Sequence, residues 1–304
     1  RSPGAGNRGH APGQMTMVLK ELQDAVRLVG QTPVLWIPGI VAGLLGAALW
    51  VLYNIAGTFF TARLVIIAGL VMVLFVAGTF CLVKKNEAGA GTMVREGARY
   101  YFRVLLPWLV IFFVLMLVFV VIMVVTILST GSSSDYEAAG MLAFFVMIPT
   151  LYLTFFCDTA AVFEDLRVFA SLKRSIGVVA GHAWEVLAFF ITCCLLAFLD
   201  LFLFAIIWEA LLFDKLQPLM DYYASPAYNE TQFAAMLTPD KLVTMIGPDG
   251  MWLTAAVIFL GVVFLVPLLL AYKACFYRNL IGNPAATVQQ MTGEFDSKGR
   301  WYKY

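Results

Sequence analysis

Residues 104–128 read Val104-Leu-Leu-Pro-Trp-Leu-Val-Ile-Phe-Phe-Val-Leu-Met-Leu-Val-Phe-Val-Val-Ile-Met-Val-Val-Thr-Ile-Leu128, 25 positions without a charged side chain. Wound as a helix, such a run is about 37 Å long, enough to cross a hydrocarbon layer of roughly 30 Å. It does not alternate between apolar and polar positions, so a barrel strand is excluded. Similar predominantly apolar runs recur at Val34–Ala56, Leu64–Val83, Ala139–Phe163, Trp184–Leu212 and Trp252–Tyr277. The expectation is an all-α polytopic membrane protein with six transmembrane helices. Composition agrees: 62% of the 304 residues are apolar and 13% charged, 20 basic against 19 acidic, where a soluble domain carries about 25% charge. A mean hydropathy of +0.86 leaves no room for a soluble enzyme or for a nucleic-acid binder resting on net charge.

Lys and Arg set the orientation. With both termini in the cytoplasm, 17 of them fall inside and three (Arg63, Lys215, Lys241) outside, as the positive-inside rule requires. This predicts a multi-pass protein of the cell membrane. Residues 1–14, with four Gly and two Pro, read as a disordered leader or as a remnant foreign to the natural chain. The membrane domain is expected over 15–280, with an external loop at 213–251 and a cytoplasmic tail at 281–304. In that loop Thr238-Pro-Asp240 caps Lys241–Ile246 before Gly247, the punctuation of a short helix. Tyr222, Tyr223 and Tyr228 precede it, on what is either a lid or a partner surface.

Three segments before outward-going spans share a pattern of one apolar and one charged helical face. Met17–Gly30 sets Val18, Leu19, Leu22, Ala25, Val26 and Val29 against Lys20, Glu21, Gln23, Asp24 and Arg27. Thr92–Arg103 opposes Val94 and Tyr101 to Arg95, Glu96 and Arg99, and Asp165–Gly181 opposes Leu166, Phe169 and Ile176 to Arg167, Lys173 and Arg174. These are expected as cytoplasmic interfacial amphipathic helices. Each leads to a tryptophan: Arg27 to Trp36 and Arg99 to Trp108 are nine residues apart, Arg174 to Trp184 ten. The chain therefore reads as three pseudo-repeated units of interfacial helix and paired spans, although basic linkers and boundary tryptophans occur in polytopic proteins generally. Lys173, Arg174, Arg95, Arg99 and Trp184 are the candidate contacts to lipid headgroups or to a partner.

The polar inventory is short. His10 and His182 are the only histidines, and Cys81, Cys157, Cys193, Cys194 and Cys275 show no C-x-x-C spacing; neither a metal or haem site nor a disulfide framework is indicated. Phosphate-loop, nucleophile-elbow and H-E-x-x-H motifs do not occur. What remains are ionisable residues inside spans, which are functional candidates by default: Asp200, Glu209, Asp158 and Lys273. Asp200 and Glu209 lie nine residues apart, on opposite helix faces, so they form no carboxylate pair. Asp158 and Lys273 are expected at similar depth, within reach of one another. Pro149 and Pro267 predict kinks. Gly39, Gly43 and Gly46 offer a close-packing face, serving either packing within the chain or dimerisation. Asn229-Glu-Thr231 is a glycosylation sequon on the expected outer face.

The stretch Phe163-Glu-Asp-Leu-Arg-Val-Phe-Ala-Ser-Leu-Lys-Arg-Ser-Ile-Gly-Val-Val-Ala-Gly-His-Ala-Trp184 resembles a recurring element of prokaryotic six-span membrane proteins of unknown function. That group includes the membrane domain fused to some glycerophosphodiester phosphodiesterases. Glu164, Ser171-Leu-Lys-Arg-Ser175, Gly181 and Trp184 match the element, with Ser171 where Ala is usual. Ala271-Tyr-Lys-Ala-Cys-Phe-Tyr-Arg278 resembles the aromatic-Arg end of their last span. The resemblance implies the fold and not the hydrolase activity. The functional expectation is a non-enzymatic integral membrane scaffold, accessory subunit or envelope factor with no cofactor. Its partners would be membrane lipids and a membrane protein or second copy of the chain, not nucleic acid. The alternative is a small-solute, lipid or ion transporter using Asp200.

Overall fold

The computed structural model describes residues 13–129, 133–225, 229–236 and 238–282, and two short strands at 293–295 and 301–303. Most of the expected leader and tail, residues 130–132 and Tyr228 lie outside the described residues. The elements are α1 (Gly13–Gln31), a 3-10 turn (Pro33–Trp36), α2 (Ile37–Lys85), α3 (Ala90–Ser129), α4 (Ser133–Thr154) and α5 (Cys157–Phe163). They continue with α6 (Val168–Gly181), α7 (Ala183–Leu211), α8 (Phe213–Ala224), α9 (Glu230–Met236) and α10 (Pro239–Gly282). Among the described residues the exception to an all-helical fold is an antiparallel hairpin within the expected tail, β1 (Gly293–Phe295) with β2 (Trp301–Lys303), pairing Glu294 with Tyr302.

Among the described residues five helical stretches are long and apolar enough to cross a membrane: Pro33–Lys85, Ala90–Thr126, Gly140–Phe163, Ala183–Leu211 and Glu230–Gly282. Six runs were expected, and the difference falls on residues 33–85, where two runs are joined in one helical element. That element is interrupted at Gly57, whose φ of 75° and ψ of −179° are non-helical and favour a residue without Cβ. Gly247 does the same in α10, with φ 68° and ψ −177°. The short helix expected at 239–246 is thus present, ended at the Gly247-Pro248 step. The set of spans is compatible with a multi-pass membrane protein. Large side chains such as Phe113, Leu117, Phe145, Phe198 and Leu201 are exposed on these helices, which suits a surrounding hydrocarbon better than water.

Two of the three segments expected as interfacial helices are separate elements, α1 and α6. The second is not: Thr92–Arg103 runs without interruption into the apolar part of α3. The face of α1 also differs from the expected one. Val18, Glu21, Ala25 and Val29 are buried, while Leu19 and Val26 are exposed. Glu21, expected on the polar face, is 1% exposed, and Asn279 Nδ2 donates to its Oε1 at 2.7 Å. A hydrogen-bonded carboxylate has taken a position that periodicity alone gives to an apolar residue.

The contacts group the chain into two units, one comprising 1–22, 102–189 and 273–304, the other 23–101 and 190–272. The second is held by close backbone approaches. A Cβ at Gly39 would lie 2.6 Å from the Val263 carbonyl oxygen and 2.7 Å from the Pro267 ring, and one at Gly43 2.8 Å from the Phe259 carbonyl oxygen. The glycine face therefore packs within the chain, against α10. Gly78 and Gly97 play the same part between α2 and α3, since a Cβ at either would run into the backbone of Met93 or Leu74. Indole N–H groups add fixed points: Trp36 donates to the Val29 carbonyl at 3.1 Å and Trp50 to that of Met251 at 3.2 Å.

Candidate functional site

In the first unit the helix entering from α4 breaks at Phe155–Phe156 before α5 begins. A break within an apolar span leaves backbone groups without their helical partners, and these need substitutes. Ser175 of α6 supplies both. Its Oγ accepts from the Phe156 N–H at 3.0 Å and donates to the Leu153 carbonyl at 2.9 Å. The break turns Asp158 inward, where it is 3% exposed. Lys273 Nζ, on a residue 7% exposed, donates to Asp158 Oδ2 at 2.7 Å. The other oxygen, Oδ1, accepts from the Thr159 N–H at 2.7 Å and its hydroxyl at 3.2 Å. Lys273 Nζ also lies 4.0 Å from the centre of the Phe155 ring, a cation–π contact that strengthens where water is excluded. Around the pair Phe156, Phe189, Phe276 and Tyr277 stack, Phe189 and Phe276 with centroids 4.5 Å apart.

A second charged group follows. Arg174 Nε donates to both oxygens of Glu164, at 2.8 and 2.9 Å, and Tyr277 Oη donates to Oε1 at 2.6 Å. Burial works against the Arg174 charge, but the bonds and charge of Glu164, with Tyr277, outweigh it and hold the guanidinium above its usual pKa. Arg174 is thereby directed to Glu164. Arg103 closes on Asp165, and Tyr152 Oη donates to the Ala183 carbonyl at 2.8 Å. Lys173 and Trp184 point outward, Trp184 74% exposed. Glu164, Ser175 and Tyr277 stand in the sequence only as parts of the two resembling stretches, with no role attached; each acts on a partner at least 10 positions away, which no local spacing reveals.

The second unit contains two further groups. Glu96 is buried and meets Lys85 at 3.1 Å, with Arg95 and Arg99 at 3.7 and 3.8 Å; both arginine side chains are largely exposed. The other is a cleft of about 570 Å³ between α7 and α10, lined by Ala197, Asp200, Leu201, Phe204, Trp208, Thr254, Val257, Ile258 and Gly261 among others. Its walls are apolar apart from three residues. Trp208 Nε1 donates to Thr254 Oγ1 at 2.8 Å, and Thr254 Oγ1 to the Gly250 carbonyl at 2.7 Å. Asp200 is half-buried and, among the described residues, makes no hydrogen bond or ion pair. On insertion scales a charge at the centre of a membrane helix costs about 2.5–3.5 kcal/mol, so this carboxylate is a standing demand for a proton or a partner. Glu209 is exposed on the same helix. Asn229 is exposed at the start of α9, its Oδ1 accepting from the Thr231 N–H at 2.9 Å.

A sequence model described as a domain of unknown function (DUF7847) matches residues 17–280. No curated protein and no solved structure matches. Nothing in these findings ties the chain to glycerophosphodiester phosphodiesterases or to prokaryotes.

Proposed function

The chain belongs to the DUF7847 family, whose description carries no activity, and on that premise we propose that it is a non-enzymatic integral membrane scaffold or accessory subunit. The mutual commitment of charges around the α4–α5 break carries this reading. Asp158 is taken by Lys273 and Thr159, and Glu164 by Arg174 and Tyr277. Groups bound to one another in this way join helices and offer no free acid or base to a substrate.

The proposal includes six spans in the cell membrane with both termini cytoplasmic. At 1.5 Å per residue the Pro33–Lys85 element would extend about 80 Å, more than twice the hydrocarbon thickness, so it counts as two spans meeting near Gly57. The distribution of Lys and Arg supports the orientation, and the three-unit pattern of interfacial helices and span pairs belongs to the same proposal. Lys173, Arg95, Arg99 and Trp184 would contact anionic headgroups, each basic group contributing about 1 kcal/mol near such a surface. Asn229 would face outward, open to glycosylation.

Purification of the full chain from its native membrane in mild detergent, followed by native mass spectrometry, tests the reading. A stoichiometric protein partner or a second copy is the expected result. The second reading, transport, is favoured by the cleft at Asp200. Solute flux in reconstituted vesicles that disappears in Asp200→Asn would replace the scaffold reading with it.

A further inference from the structure

We propose that the cleft between α7 and α10 binds a membrane amphiphile carrying an amine, with the ammonium on Asp200 and the hydrocarbon along the apolar walls. Three observations converge on it. The first is the state of the polar groups in the cleft: the Trp208 N–H and the Thr254 hydroxyl are already spent on Thr254 and Gly250, which leaves Asp200 as the uncommitted one. An ionised carboxylate only accepts hydrogen bonds, and its strongest complement is a cationic N–H donor. No Lys, Arg or His lines the cleft, so the chain does not supply that donor there.

The second observation is Gly261. A Cβ at this position would lie 3.4 Å from Asp200 Oδ2 and 3.3 Å from the Phe204 ring. The missing side chain therefore keeps open the space beside the carboxylate. The third is the chemistry of the walls. Ala197, Leu201, Phe204, Val257 and Ile258 provide no oxygen ligands, whereas a hard cation such as calcium requires about six to eight. A small hydrated amine would gain nothing from such walls; a chain-bearing amine from the bilayer fits both parts of the site. The assignment shares Asp200 with the transport reading but concerns holding the ligand, and it stands whether or not the ligand is moved.

The test uses the full chain in phosphatidylcholine vesicles with radiolabelled dodecylamine, measured as retention above protein-free vesicles. Saturable retention is expected, weakened about tenfold in the isosteric Asp200→Asn, the loss of one charge-assisted contact. Gly261→Ala, which narrows the space beside the carboxylate, is expected to weaken it too, while Asp214→Asn on α8 leaves it unchanged. Unlabelled dodecylamine should compete, and dodecanol and ethylamine should not. The proposal is overturned if retention does not saturate, if Asp200→Asn retains the amine as well as the parent chain, or if ethylamine competes equally. Because binding and not flux is read, a chain that transports nothing can still pass, and one that transports by another route can still fail.

Discussion

Asp158 and Asp200 are both carboxylates on stretches apolar enough to enter a bilayer, and their surroundings differ in every respect that matters to a charge. Asp158 is nearly fully buried, and each of its oxygens has a donor: Lys273 for one, Thr159 for the other. Asp200 is half open to a cleft, with apolar neighbours and no partner among the described residues. Burying a charge is tolerable once it is paired and its remaining lone pairs are used. The first carboxylate satisfies that condition from within the chain, and the second leaves it to be met by a proton or a ligand. The same side chain is thus a joint in one region and a receptor in the other.

The largest effect that would test this contrast comes from Lys273→Ala. It strands the Asp158 charge in a buried site and should cost about 3–5 kcal/mol, read as a loss of thermal stability in detergent by size-exclusion recovery after heating. The double variant Asp158→Leu with Lys273→Met should regain most of that loss; if it is as unstable as the single, the pair is not acting as a unit. Ser175→Ala is next. It orphans the Phe156 N–H and the Leu153 carbonyl at the helix break and should cost about 1–3 kcal/mol in the same assay. Glu164→Gln keeps the shape but removes the charge that Arg174 and Tyr277 grip. Because both charged partners are partly exposed, a loss of about 1 kcal/mol is expected. Asp200→Asn should be smallest, within about 0.5 kcal/mol of the parent, since no internal partner is lost. A destabilisation matching that of Lys273→Ala would erase the distinction between the two carboxylates.

Features set by composition or by neighbouring residues were legible in the sequence. The apolar runs mark the long helices, and the Thr238-Pro239 start and Gly247 stop mark the short helix before the last span. Similar depth in their spans places Asp158 and Lys273 together although they are 115 positions apart. Features set by a distant partner were not legible. The buried Glu21 on α1 is bonded to Asn279, 258 positions away, and no periodicity in Met17–Gly30 encodes that contact. The continuity of Thr92–Arg103 with the following span escaped because charged residues suggested a boundary, whereas Lys85 and the two arginines settle around Glu96 without interrupting the helix. Ser175 stands in the sequence only as one match within the resembling element; its importance comes from a break in another helix. The Asp200 cleft depends on the glycine facing it from α10, a relation visible only in three dimensions.

The Glu21–Asn279 bond has a topological meaning as well. It clasps residues close to either boundary of the matched domain, 17–280, so entry and exit of the polypeptide lie side by side. A module with adjoining ends can be lodged inside a host sequence, or re-cut at an exposed turn with its old ends spliced, without stretching its interior.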